Sequence, residues 1–163
     1  MKNLILSFFL LLTFATFGQK EMFFPKLQRT FEFYLREAGQ QTTQFQLRFF
    51  WPDQQLFPNC ETWGSDGFGV ICDQRQIQIF GYSEAACKNA VYDVLQRKFG
   101  FEYYQAECTK LPSRLAVKFA YDCYESVPAF EYREIFYGET RRTGYGDWHK
   151  LTSGESSFTF ENH

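Results

Sequence analysis

The stretch from Ser83 to Gly100 constrains the fold of this chain more than any other. Cys87, Ala90, Val91, Val94 and Leu95 recur at steps of three and four, which gathers them on one face of a helix. Ser83 is suited to cap its N-terminus and Gly100 to close it. Such a face has to be buried against another layer. Just upstream, Gly67–Cys72 and Ile77–Tyr82 read as two short apolar strands. The polar turn Asp73-Gln74-Arg75-Gln76 between them predicts an antiparallel hairpin.

The flanking segments extend the same pattern. Glu21 to Gly39 reads as a helix, with Leu27, Phe31, Tyr34, Leu35 and Ala38 on its apolar face. Pro25 fits its first turn, and Gly39 ends it. After the polar connector Gln40–Thr43, Phe45-Gln46-Leu47-Arg48-Phe49 alternates as a strand with one face inward. Trp51 to Asp66, with Pro52, Pro58, Asn59 and Gly64, reads as loop. Beyond Gly100 come an aromatic extension, Phe101–Tyr104, a turn at Leu111-Pro112-Ser113, and a strand through Leu115, Val117, Phe119 and Tyr121. A further strand is expected over Phe130–Tyr137. Glu139 to His163 has no sustained periodicity, and so long a structureless tail argues against a complete chain. The expected class is α+β: a mixed or antiparallel sheet with two helices on one face.

The N-terminus sets the expected compartment. Lys2 precedes an apolar run from Leu4 to Phe17, and small residues at Thr16 and Gly18 suit cleavage before Gln19. That run is shorter than the roughly 20 residues a spanning helix needs. A signal peptide over 1–18 and a secreted or periplasmic product without a membrane span are therefore expected. The formal charge of −2 and the lack of any long basic stretch disfavour nucleic acid and anionic membranes as partners. Five cysteines, Cys60, Cys72, Cys87, Cys108 and Cys123, permit at most two bridges. Cys72 and Cys87 fall on apolar faces and read as small buried hydrophobes. A Cys60–Cys108 bridge is compatible with the spacing but is not required by it. There is no C-x-x-C, and His149 and His163 lie far from any cysteine, so no metal ligand set and no cofactor are expected.

Aromatic residues make up an unusual 21% of the chain. Most should fill the core. Trp51, Trp63, Trp148, Tyr103 and Tyr104 are the candidates for a sugar-stacking surface. The glycine-rich Gly64-Ser65-Asp66-Gly67-Phe68-Gly69 leads into a strand, so it lacks the helix N-terminus that makes such loops bind phosphate. His149 reads as a surface or loop-packing residue.

One constellation is specific in its order. Ser65-Asp66-Gly67-Phe68-Gly69-Val70, then Ile77-Gln78-Ile79-Phe80-Gly81, then Ala90–Leu95 closing at Leu95-Gln96-Arg97-Lys98-Phe99-Gly100, resembles a known domain. It is the α/β domain that precedes the catalytic barrel in family 67 α-glucuronidases and family 20 β-hexosaminidases. Phe101-Glu102-Tyr103-Tyr104 resembles the short aromatic strand after that glycine. Pro128-Ala129-Phe130-Glu131-Tyr132-Arg133-Glu134 resembles the passage into the first barrel strand. The similarity spans roughly Phe31 to Tyr137.

The resemblance implies an organisation: signal peptide 1–18, α/β domain 19–126, and first barrel strand with an irregular tail over 127–163. It implies a non-catalytic N-terminal module of a secreted glycoside hydrolase acting in polysaccharide breakdown. The alternative is a free-standing exported carbohydrate-binding domain. The implied partners are the missing barrel and a carbohydrate, with uronic-acid or amino-sugar chains as the class. Arg133 matches the position of an arginine that reaches the bound sugar, and its fork suits paired hydroxyls or a uronate; the plainer alternative pairs it with Glu131 or Glu134. Hydrolysis in these families uses carboxylates on later strands, about 5–9.5 Å apart. Glu131, Glu134 and Glu139 do not match them, so no catalytic residue is expected and the chain alone should be inactive.

Overall fold

In the computed structural model, the hairpin forms where the two apolar runs and the polar turn between them place it, and it becomes the centre of a five-stranded mixed sheet. The structure describes residues 19–105, 108–112, 119–130, 133 and 144–152. The expected signal peptide lies outside them. The sheet strands are β1 (Glu21–Met22), β2 (Gln46–Phe50), β3 (Phe68–Gln74), β4 (Gln76–Gly81) and β7 (Phe119–Ser126), in the order β1-β2-β4-β3-β7. A separate two-stranded ladder pairs β5 (Glu102–Gln105) with β6 (Cys108–Lys110). The helices are α1 (Pro25–Glu37), α2 (Glu84–Phe99) and a single turn, α3 (Tyr145–Trp148). The fold is α+β, as expected.

β3 and β4 are antiparallel, with Val70 opposite Ile79 and Cys72 opposite Ile77. The turn is tighter than the expected four residues, because Asp73 still pairs with Gln76 and only Gln74-Arg75 connects them. Gln74 takes a positive φ of 50° to make that reversal. β2 joins the other side of β4 in parallel, and β7 joins β3 antiparallel.

Side-chain alternation then divides the sheet. Leu47, Phe49, Val70, Cys72, Ile77 and Ile79 point to one face, where they pack with Leu27, Phe31 and Leu35 of α1 and Cys87, Ala90, Val91, Val94 and Leu95 of α2. Each buried aliphatic side chain contributes about 1.5–3 kcal/mol. The opposite face carries Phe50, Ile71 and Phe80, covered by Phe57, Cys60 and Trp63 from the long loop between β2 and β3. That loop stays irregular apart from a 3-10 turn at Cys60–Thr62.

α2 is capped as its sequence predicts. Ser83 Oγ accepts from the Ala86 amide at 2.9 Å, and Gly100 closes the helix in the left-handed region at φ 74°. Its burial exceeds one stripe, since Tyr92, Asp93 and Phe99 are buried as well. The added cover comes from residues 144–152, whose Trp148 sits among Tyr34, Tyr92, Phe101 and Tyr103, its indole Nε1 donating to Tyr34 Oη at 3.0 Å.

Several expectations change. Glu21–Met22 is strand rather than helix, because it pairs with Phe50 and Phe49, and Pro25 starts the helix instead. β6 was not foreseen. Of the strand expected over Leu115–Tyr121, Phe119–Tyr121 are described, and they continue to Ser126. Of Phe130–Tyr137, only Phe130 and Arg133 are described, and neither is in a ladder. The tail is not wholly irregular, since α3 buries Trp148 in the main core. Cys60, Cys72 and Cys87 are free and buried, so Cys60 carries no bridge.

Candidate functional site

Two places bring the expected site residues to the surface. The first surrounds Arg133. Loop residue Asp66 reaches it just before β3, and Gly67 follows because a Cβ there would lie 2.5 Å from the Trp63 carbonyl oxygen. Arg133 Nη2 donates to Asp66 Oδ2 at 2.6 Å, Nε donates to the Lys150 carbonyl at 2.8 Å, and Nη1 donates to the Phe130 carbonyl. Its backbone is held too. Its N–H donates to Thr152 Oγ1 at 2.9 Å, and its carbonyl accepts from the Thr152 amide at 2.9 Å.

Both side chains of the Arg133–Asp66 pair are 18% exposed. The fork that suits a sugar or carboxylate therefore grips the protein itself. The cavity beside it, between Asp66, Pro128, Phe130 and Arg133, holds about 90 Å³, well below the roughly 300 Å³ at which ligand pockets begin. The alternative partners Glu131 and Glu134 lie outside the described residues. Next to this latch, Asp93 is 2% exposed and accepts from Lys150 Nζ, from Arg97 Nε at 2.9 Å and from Tyr124 Oη at 3.1 Å. Burial, then the neighbouring carboxylate of Asp93, pushes the Tyr124 phenol up. This network ties α2, β7 and the 144–152 segment together.

The second place is where β2 and β4 end. They are parallel, so their C-terminal ends lie side by side and pass directly into Trp51 and Tyr82. The Trp51 amide donates to the Lys20 carbonyl at 3.1 Å, extending the β1–β2 ladder and fixing the start of the loop. Trp51 and Tyr82 rings meet edge-to-face at 6.1 Å, and Lys20 Nζ lies 5.6 Å from the Trp51 ring centre. Tyr82 Oη donates to Cys60 Sγ at 3.7 Å, and this contact, with burial, pushes its phenol up. Asp53 organises the rest. Its Oδ2 accepts from Gln19 Nε2 at 3.0 Å and its Oδ1 from the Gln55 amide at 2.8 Å. The resulting groove holds about 420 Å³.

Of the five aromatics expected to stack on sugars, Trp63, Trp148 and Tyr103 are core. Trp51 is 38% exposed and Tyr104 59%. Trp63 is buried because its ring lies over Gly69, a fit that requires the folded sheet. Gln19, Lys20, Asp53, Gln55 and Tyr82 were not singled out in the sequence. The one local signal was Pro52-Asp53 directly after a loop tryptophan, a turn-forming pair beside a flat ring. His149 is exposed, its ring 4.3 Å from that of Tyr145. No family model, no curated protein and no solved structure matches this chain.

Proposed function

We propose that this chain is the non-catalytic N-terminal module of an exported glycoside hydrolase of the α-glucuronidase type, packing beside a barrel and shaping its mouth. The observation that carries the reading is the exit from β7. Val127 is 46% exposed and Phe130 is 73% exposed, and both lie beside the Arg133–Asp66 latch. Arg133 Nη1 bonds the Phe130 carbonyl, so the backbone carrying the exposed ring is held in place. Apolar side chains displayed on a fixed support, where the chain leaves the sheet, suit a packing partner. Helices on one face of an α+β sheet also agree with the domain that the sequence resembles.

In this reading Arg133 is a positioning residue for the exit segment. A sugar reaching its Nη2 would first have to displace Asp66, which holds it at 2.6 Å. The test is the reading frame after the codon for His163, compared with the intact mass of the exported protein and its activity on chromogenic glycosides. A frame that continues into a barrel, with turnover by the long product and none by this chain, is the expected result. A stop codon with a mass matching residues 19–163, or turnover by this chain that depends on Glu134, would overturn the proposal.

A further inference from the structure

The groove at the ends of β2 and β4 has the chemistry of a saccharide site, and we infer that it binds an uncharged pyranose chain, with the Trp51 ring as its platform. This inference rests on the carbohydrate reading of the chain but not on the presence of a barrel. Ring, charge and rigidity each support it.

The protein has three tryptophans. Trp63 and Trp148 are buried, which leaves Trp51 as the indole that a dissolved ligand can reach. A flat, half-exposed ring offers its face to the C–H side of a sugar. The polar rim supplies one ammonium, Lys20, one carboxylate, Asp53, and the amides of Gln19, Gln54 and Gln55. On the mature chain expected to begin at Gln19, its α-ammonium joins Lys20, and Glu61, bonded to Gln54, joins Asp53, so the two signs balance and an uncharged ligand suits the rim. Amides that both donate and accept suit hydroxyl groups.

The rim is also pre-arranged. Asp53 holds Gln19 through one oxygen and the Gln55 backbone through the other, and Gln54 Nε2 donates to Glu61 at 3.1 Å. The end of β2 fixes Trp51, and Tyr82 at the end of β4 buttresses that ring edge-to-face from outside the groove lining. Lys20 over the indole is an exposed and weak contact. An arriving sugar can displace it, and the freed ammonium then donates to a hydroxyl. The groove volume of about 420 Å³ lies within the range of small-ligand sites.

The experiment is a tryptophan-fluorescence titration of the exported protein with xylohexaose and chitohexaose, with oligogalacturonate as the acidic comparator. A saturable change with a neutral oligomer is expected, unaltered between about 0.05 and 0.5 M NaCl. Bound saccharide should also shield the exposed indole from acrylamide quenching. Trp51→Ala should weaken binding by about tenfold or more, while Trp51→Phe, which keeps a ring, should retain part of it. The shielding measurement needs no variant, so it decides the matter if Trp51→Ala does not fold. No change in emission or quenching with either neutral oligomer would overturn the site, as would unchanged affinity in Trp51→Ala. Tighter, salt-sensitive binding of oligogalacturonate would overturn the uncharged ligand class. Absence of binding beside a barrel-encoding frame would remove this site and leave the module reading intact; binding with no barrel would do the reverse.

Discussion

Replacing Gly69 with alanine places a methyl group where two aromatic rings already lie. A Cβ on Gly69 would stand 2.6 Å from Phe57 Cζ and 2.6 Å from Trp63 Cη2. Carbon atoms pack best at about 3.5–4.0 Å, so both rings would have to retreat by roughly 1 Å. The strand cannot move in their place, because β3 is paired with β4 on one side and β7 on the other. The rings resist as well, since Phe57 and Trp63 are buried and Trp63 Nε1 donates to Glu125 at 3.0 Å. Overpacking of this kind costs about 1–3 kcal/mol. For a domain of this size, each kcal/mol lowers Tm by roughly 3–5 °C, so Gly69→Ala should melt about 3–15 °C below the native chain. The assay is a thermal melt followed by circular dichroism, with tryptophan emission reporting displacement of Trp63. Trp63→Phe removes the clashing indole edge, so the double variant should lose less stability than the two single changes added together. A melt within about 1 °C of the native protein, or strict additivity in the cycle, would refute the claim that the rings hold this loop against the sheet.

Two more expectations concern the same framework. Ser83 Oγ both caps α2 and donates to the Ser65 carbonyl at 2.5 Å, so Ser83→Ala should cost about 1–2 kcal/mol, read from the urea midpoint; no shift in midpoint would show that the cap is dispensable. Burial pushes the Cys72 thiol up to about 11 and the Cys87 thiol up to about 12. Above roughly pH 9 an unfolded thiol releases its proton while the folded one keeps it, so stability is complete below that pH and falls as pH rises toward 11–12. The slope reaches about 1.4 kcal/mol per pH unit for each thiol. Urea midpoints at about pH 8, 9.5 and 10.5 should decline in that order, and a flat series would contradict the burial of these groups.

Much of the framework was legible because its signals are local. The steps of Cys87, Ala90, Val91, Val94 and Leu95, the Ser83 cap and the Gly100 close all act within one helix, and each stands as read. The hairpin was legible for the same reason. Glu21–Met22 was misread because apolar periodicity continues across Pro25, and only pairing with Phe49 and Phe50 shows that the two residues are strand. β6 is three residues long, too short to display a period.

The candidate sites were less legible, because exposure and partnership are decided between distant segments. Among five similar aromatics, the sequence could not tell Trp51, at a strand end, from Trp63, laid over Gly69, or Trp148, sealed against Tyr34 and α2. It marked Arg133 as a fork in need of paired oxygens but not that Asp66, 67 positions earlier, would supply one.

Sequence alone determined α1, α2, the hairpin and the α+β class, since their signals lie within short stretches of chain, whereas the single turn α3 shows no such signal. Tertiary structure decided which rings reach solvent, that β2 lies parallel to β4, and that Arg133 grips the protein. Those outcomes depend on which distant surfaces meet, and no local pattern encodes that.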